Sequence, residues 1–203
     1  MSEIGFKMVD EETMRSYAAN IDAFRKMVET QRKNPHLTDF MGRLPRNAAV
    51  LDLGCGIGDA AAIMRAAGMD VTCIDASPDM IKAAQEIYGL TVEQRSFDDV
   101  NEIGAYDGIW ASYSLLHAPK DQMPENLGRL HRALRDGGLG YFGLKIGIGE
   151  TRDDAGRFYG YYQQNELTDL LRDAGFTILR TQTSKIVGML GKEEQGINIV
   201  VKR

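Results

Sequence analysis

The chain has 203 residues, 43% of them hydrophobic and 26% charged, a composition suited to one globular α/β domain that buries about 70% of its unfolded surface. Its 29 acidic residues outnumber 24 basic ones for a net charge of −5, which argues against a nonspecific nucleic-acid face or a surface for anionic membranes. No apolar run approaches the roughly 18 residues of a membrane span, and Met1-Ser2-Glu3-Ile4-Gly5-Phe6 lacks the basic flank and apolar core of a secretion signal.

Residues 10–33 read as a helix. Asp10 can cap it, Glu11 and Glu12 suit its first turn, and Arg32 and Lys33 suit its last. Met14, Tyr17, Ala18, Ile21, Phe24 and Met27 fall on one apolar stripe at helical spacing, and Pro35 reads as the stop. Residues 1–44 would then form a helical cap on a single domain spanning 1–203. After the turn signal Leu44-Pro45-Arg46-Asn47, an apolar run from Ala48 to Leu53 reads as a short buried strand. Gly54, Gly56 and Gly58 follow at alternate positions, then a helix-forming segment from Ala60 to Ala67, closed by Gly68. Strand, glycine turn and helix form the first half of a nucleotide-binding βαβ unit, where a missing Cβ lets a ligand approach the backbone.

The second strand, Val71-Thr72-Cys73-Ile74, ends on Asp75, which lies 21 positions after Gly54. A carboxylate at that distance is placed to accept both hydroxyls of a ribose. Ser77-Pro78-Asp79 supplies its own helix start, which leaves Asp75 free for a ligand. A third strand leads to Phe97-Asp98, where Asp98 can accept from an adenine amino group while Phe97 packs near the base. Strands are predicted near 48–53, 70–75, 90–95, 106–111 and 138–146, with helices near 59–67, 78–88 and 120–135. Asn165 to Ala174 reads as another helix, Phe176 to Ser184 as a strand, 188–196 as a turn-rich connector, and Ile197 to Val201 as a last, antiparallel strand. This alternation implies a parallel sheet wrapped by helices.

Gly56-Ile57-Gly58-Asp59-Ala60-Ala61 also fits the dinucleotide pattern, so a nicotinamide-dependent oxidoreductase is one reading. Asp52, two residues before Gly54, speaks against a pyrophosphate there and suits a ligand carrying an ammonium or sulfonium group. Cys55 and Cys73 have no metal-ligand spacing and read as reduced cysteines of a cytoplasmic protein.

At these residues the chain resembles the class I S-adenosylmethionine-dependent methyltransferases. The matching segments are Leu51 to Gly58, Asp75, Phe97-Asp98, Tyr106 to Ala111 and Leu134 to Gly138. Lys145-Ile146-Gly147-Ile148-Gly149-Glu150 and Gly156-Arg157-Phe158 resemble the small, free-standing bacterial-type members. The resemblance implies a Rossmann-like, doubly wound sheet of seven strands, mostly parallel with an antiparallel last strand. It implies S-adenosyl-L-methionine as cofactor, leaving as S-adenosyl-L-homocysteine. Contacts would come from Tyr17, Asp52, Gly54, Cys55, Gly56, Gly58, Asp75, Ala76, Met80, Phe97, Asp98 and Ala111, with Tyr17 on a helix folded over the cofactor.

On the reacting side, methyl transfer from a sulfonium is an in-line displacement, which asks the protein for alignment and exclusion of water. A base is needed only for an acceptor that carries a proton, and His117, six positions after the fourth strand, is the candidate. Its other reading is a hydrogen-bonded loop histidine. Lys145 and Arg157 could pair with an anionic substrate or be solvated charges. Tyr162, with Phe158, Tyr159 and Tyr161, could line the pocket or pack on the sheet. Glu150, Asp153 and Asp154 read as solvated loop acids, and His36 and His131 have no metal partners nearby, so no metal site is expected. Without an appended recognition domain or an Asn/Asp-Pro-Pro-aromatic segment after the fourth strand, the expected acceptor is a small molecule. Neither nucleic acid nor membrane is expected as a partner, and the assembly as a monomer or homodimer. A non-enzymatic protein that senses the cofactor or its product would share every cofactor residue.

Overall fold

A computed structural model describes residues 9–30 and 34–203, so the Met1–Phe6 start and the Arg32–Lys33 pair lie outside the described residues. Two helices, α1 (Glu11–Ala19) and α2 (Ile21–Thr30), stand where one is predicted. Asp10 caps α1 as expected, accepting from the Thr13 amide at 2.7 Å. The break falls at Asn20, whose φ of −120° leaves the helix and whose side chain donates to the Ser16 carbonyl at 2.8 Å. Such self-bonding is why asparagine ends helices. Pro35 opens a third helix, α3 (Pro35–Arg43), rather than only stopping the one before. Asn34 caps it, and proline at the first position has no amide to leave unpaired.

The alternating units follow: β1 (Ala49–Leu53), α4 (Asp59–Ala66), β2 (Asp70–Asp75), α5 (Pro78–Tyr88), β3 (Glu93–Gln94), β4 (Tyr106–Ser112), α6 (Met123–Ala133) and β5 (Leu134–Lys145). A small hairpin, β6 (Glu150–Arg152) and β7 (Phe158–Gly160), precedes α7 (Gln164–Asp173), β8 (Thr177–Val187) and β9 (Glu193–Lys202). The seven-stranded sheet has the order β3-β2-β1-β4-β5-β9-β8, and β9 runs antiparallel to both its neighbours. β5 begins four residues earlier than its glycines suggest. Tyr106 faces Leu134 and Gly108 faces Leu139, so Arg135 to Gly138 bulge out of the ladder.

Strand alternation sends side chains to two cores. Leu51, Leu53, Ile109, Phe142, Leu144, Ile197 and Ile199 pack with α6 and α7 on one face. Val50, Val71, Cys73, Trp110, Tyr141 and Val200 pack with α3, α4 and Ala84 of α5 on the other. Among the described residues no helix is long and apolar enough to cross a membrane.

Candidate active site

Strand order reverses between β1 and β4, and the main cavity, about 920 Å³, opens beyond their carboxyl ends. Open α/β sheets collect ligands at such a reversal. Gly54, Gly56 and Gly58 turn the chain there with φ of 68°, 56° and 84°. At Gly54 the need is also steric, since a Cβ would stand 2.5 Å from Ser114 Cβ. The amides of Gly54 and Cys55 both donate to the Ile74 carbonyl, at 2.9 and 3.0 Å, which ties the loop to β2.

Asp75 is less free than the sequence suggests. It accepts from the Gly56 amide at 2.8 Å and from the Ser77 amide at 2.9 Å, one on each oxygen. Each oxygen keeps a further lone pair for a ligand. Burial raises its pKa against the pull of those amides. Asp52 is 2% exposed and its Oδ2 meets no partner. Burial, then the neighbouring Cys73, Asp59 and Asp75, hold its carboxyl well above the ordinary range. Asp59 is raised by burial as well. Three carboxylates on one cavity wall, one with an orphaned oxygen, suit a cationic ligand rich in donors. Cys55, Ala76, Met80, Phe97 and Asp98 line the same cavity.

α1 covers the other end. The Tyr17 hydroxyl stands 2.9 Å from His117 Nε2, and His117 Nδ1 stands 2.7 Å from the Phe158 carbonyl oxygen. A carbonyl can only accept, so Nδ1 carries the proton and Nε2 accepts from Tyr17. Burial lowers the His117 pKa to about 4, with Arg157 and Lys145 adding to the shift and the Phe158 carbonyl opposing it. The ring is neutral at pH 7.

Lys145 and Arg157 are buried rather than solvated, at 7% and 4% exposure. The Arg157 guanidinium lies 5.2 Å from the Tyr17 ring centre and 5.4 Å from that of Tyr159. Its Nε and Nη2 donate to Asp153 Oδ2 at 2.9 and 2.5 Å, and its Nη1 reaches the Met189 thioether at 4.0 Å. Asp153 is therefore no solvated loop acid; it also accepts from the amides of Ala155 and Arg157. Lys145 Nζ stands 2.6 Å from Glu194 and 3.8 Å over the Tyr159 ring. Glu150 accepts from the Lys120 amide at 2.6 Å.

Three of the candidate residues lie elsewhere. Tyr162 is fully buried in the core, with Lys120 Nζ 4.6 Å over its ring. Ala111 points into the same core, on the far face of β4. Gly58 closes the turn under Leu90, where a Cβ would meet Leu90 Cδ1 at 2.3 Å. The cavity instead gains Trp110, Tyr113, Tyr141 and Asn198, which the sequence reading did not single out. Trp110 and Tyr141 stack at 3.8 Å, and the Tyr141 hydroxyl donates to Asn198 at 2.6 Å. Their convergence follows from the pairing of β4, β5 and β9, which no local motif announces. Tyr113 sits at a φ of 56°, a strained value for a residue with a side chain. Its hydroxyl occupies the notch at Gly196, where a Cβ would be 2.6 Å away. Burial pushes its pKa up to about 12. Among the described residues no group of three or more His, Cys, Asp or Glu is placed to hold a metal ion.

Residues 50–138, from β1 into β5, match a family profile described as a methyltransferase domain. An uncharacterised methyltransferase of Staphylococcus carnosus is 23% identical over 154 residues, covering 67% of this chain and 73% of the relative. The 2-methyl-6-phytyl-1,4-hydroquinone methyltransferase of Synechocystis is 28% identical over 134 residues, covering 63% of this chain but only 40% of that enzyme. Among solved structures, the Burkholderia thailandensis 1,6-didemethyltoxoflavin-N1-methyltransferase with bound 1,6-didemethyltoxoflavin and S-adenosylhomocysteine shares the fold. It superposes with a TM-score of 0.70 at 21% identity, over 100% of this chain and 93% of that one.

Proposed function

Because this chain is a class I S-adenosylmethionine-dependent methyltransferase, we propose that it methylates a small-molecule acceptor by in-line displacement. One observation carries the reading: a single cavity of about 920 Å³ joins a carboxylate-lined end to an end lined by Lys145, Arg157 and Tyr159, with α1 and α2 lining it as well. A covered cavity of that size takes a small ligand beside the cofactor and not a segment of a folded macromolecule. When bound, S-adenosylmethionine supplies an electrophilic methyl on a positively charged sulfur.

The residues present fit that group. Asp75 offers its remaining lone pairs to the ribose, Phe97 and Asp98 offer a wall and an acceptor to the adenine, and the orphaned Asp52 oxygen faces the charged end. Gly54 and Gly56 keep side chains out of the approach. α1 and the turn after β8 line the cavity, and alignment of the reactants supplies much of the rate. We assign His117 as a positioning residue rather than a base. A neutral ring with a pKa of about 4, whose free lone pair already accepts from Tyr17, fastens α1 over the cavity and is a poor proton acceptor near neutrality. An acceptor that arrives deprotonated, or that sheds its proton to water after transfer, needs nothing more. The net charge of −5 and the free thiols of Cys55 and Cys73 support action in the cytoplasm without nucleic acid or membrane as a partner.

Calorimetry with S-adenosylmethionine and S-adenosylhomocysteine, followed by an acceptor screen that reads S-adenosylhomocysteine release, tests the proposal. Saturable cofactor binding and turnover on a small acceptor are expected. A folded protein that binds neither nucleoside would defeat it. The His117 assignment predicts pH–rate profiles for wild type and His117→Ala that run parallel, with KM raised more than kcat is lowered.

A further inference from the structure

At the acceptor end, donors outnumber acceptors. Arg157 brings five N–H groups and Lys145 three, on side chains only 4% and 7% exposed. Asp153 takes two from the arginine and Glu194 takes one from the lysine. The hydroxyl oxygens of Tyr17 and Tyr159, beside the guanidinium, are further acceptors there. The hydrogen on Tyr17 is spent on His117, and that of His117 on the Phe158 carbonyl. What faces Arg157 Nη1 is sulfur, the Met189 thioether at 4.0 Å. A thioether is a weak acceptor, and a buried cationic donor left on one forgoes most of a charge-assisted hydrogen bond.

The geometry around that edge is set in advance. Two aromatic rings flank the guanidinium, and Asp153 holds its Nε side. The terminal edge is therefore aimed rather than swinging, the condition under which arginine recognises a planar oxyanion. Met189 stands outside the strands. It lies in the turn 188–192 between β8 and β9, closed by the Gly188 amide to the Lys192 carbonyl at 3.0 Å and the Gly191 amide to the Gly188 carbonyl at 2.8 Å. The two cations are already matched by two carboxylates, so each further negative charge on a ligand adds repulsion and a monoanion is opposed less than a dianion.

We propose that the methyl acceptor carries a carboxylate, and that this group docks on the Nη1 edge of Arg157 in place of the Met189 thioether, under the β8–β9 turn. The inference rests on the methyl-transfer reading of the same cavity and names its substrate class. The test uses the S-adenosylhomocysteine-loaded protein, titrated with aryl and alkyl monocarboxylates, their primary amides, and the corresponding phosphate monoesters. At least one carboxylate is expected to bind about tenfold or more tightly than its amide, the size of one charge-assisted hydrogen bond. It should also bind more tightly than its phosphate counterpart. Arg157→Gln should bring acid and amide to parity while S-adenosylhomocysteine affinity holds. Met189→Ala, which removes the competing sulfur, should raise carboxylate affinity severalfold and leave amide affinity unchanged. A panel with no preference for any carboxylate overturns the inference, as does a preference that survives Arg157→Gln. If Arg157→Gln does not fold, Met189→Ala decides, and unchanged carboxylate affinity there overturns the displacement. Absence of S-adenosylhomocysteine binding by the wild type defeats the functional reading itself, whereas binding without a carboxylate preference defeats only this inference.

Discussion

Asp75 does two things with its four lone pairs: it braces the glycine loop through the Gly56 and Ser77 amides, and it faces the cavity with what remains. Asp75→Ala should therefore lower S-adenosylhomocysteine affinity on the order of a hundredfold, for two charge-assisted bonds of roughly 1.5–3 kcal/mol partly replaced by water. It should also lower Tm without ligand, since two buried amides lose their acceptor. Calorimetry and thermal melts read the two effects separately, and full affinity in a folded variant would remove Asp75 from the site. The sequence announced the carboxylate through its distance from Gly54, but not the brace, because its bonds depend on how the loop folds back over β2. His117 is a similar case. Its chemistry is set by Tyr17, 100 positions away, which no local pattern reveals. Burial depresses its pKa from 6.5 to about 4, so the unfolded chain binds the proton first as pH falls. Stability is thus fully present above about pH 6.5 and is lost toward pH 4, by on the order of 3 kcal/mol. Melts of wild type and His117→Gln across that window should converge at the acid end, and equal slopes would refute the linkage.

The elements that carry the βαβ unit were legible because each has its own local signal. Ser77 caps α5, Gly89 ends it, and the apolar runs of β1 and β2 are bounded by glycine or acid. The β6–β7 hairpin was not, because its strands have three residues each and Glu150–Arg152 carries no alternation. That hairpin nevertheless receives α1. Arg152 Nη1 and Nη2 donate to Asp10 at 2.9 and 2.6 Å, and Arg152 Nε lies 3.2 Å from Glu12. The Phe158 amide donates to Thr13 Oγ1 at 2.8 Å. The residues α1 buries fully are Thr13 and Ser16, so its seat is polar on that side rather than greasy. Half-exposed ion pairs add at most about 1 kcal/mol to global stability. Arg152→Ala should leave Tm within a degree or two yet raise amide exchange in 9–19 severalfold, read by hydrogen-exchange mass spectrometry. Unchanged exchange there would mean that the apolar side of α1 holds it alone.

At the scale of the whole molecule, the sheet order and the reversal between β1 and β4 open the cavity at one end of the sheet. Fold class followed from alternation of strand and helix periods. The aromatic wall of Trp110, Tyr113 and Tyr141 did not, since it exists only once β4, β5 and β9 are in register. A single cover over both ends has a kinetic consequence. Tyr17 on α1 reaches His117, and Phe24 on α2 stands 3.3 Å from where a Gly56 Cβ would be, with the non-helical Asn20 between the two helices. Opening of that lid, rather than methyl transfer, is expected to set the pace for a good acceptor. Fast acceptors should share one turnover ceiling and differ only in kcat/KM, with a pre-steady-state burst of S-adenosylhomocysteine before the linear phase. Raising solvent viscosity should lower that ceiling, and Arg152→Ala, by unlatching the lid, should lift it and shrink the burst.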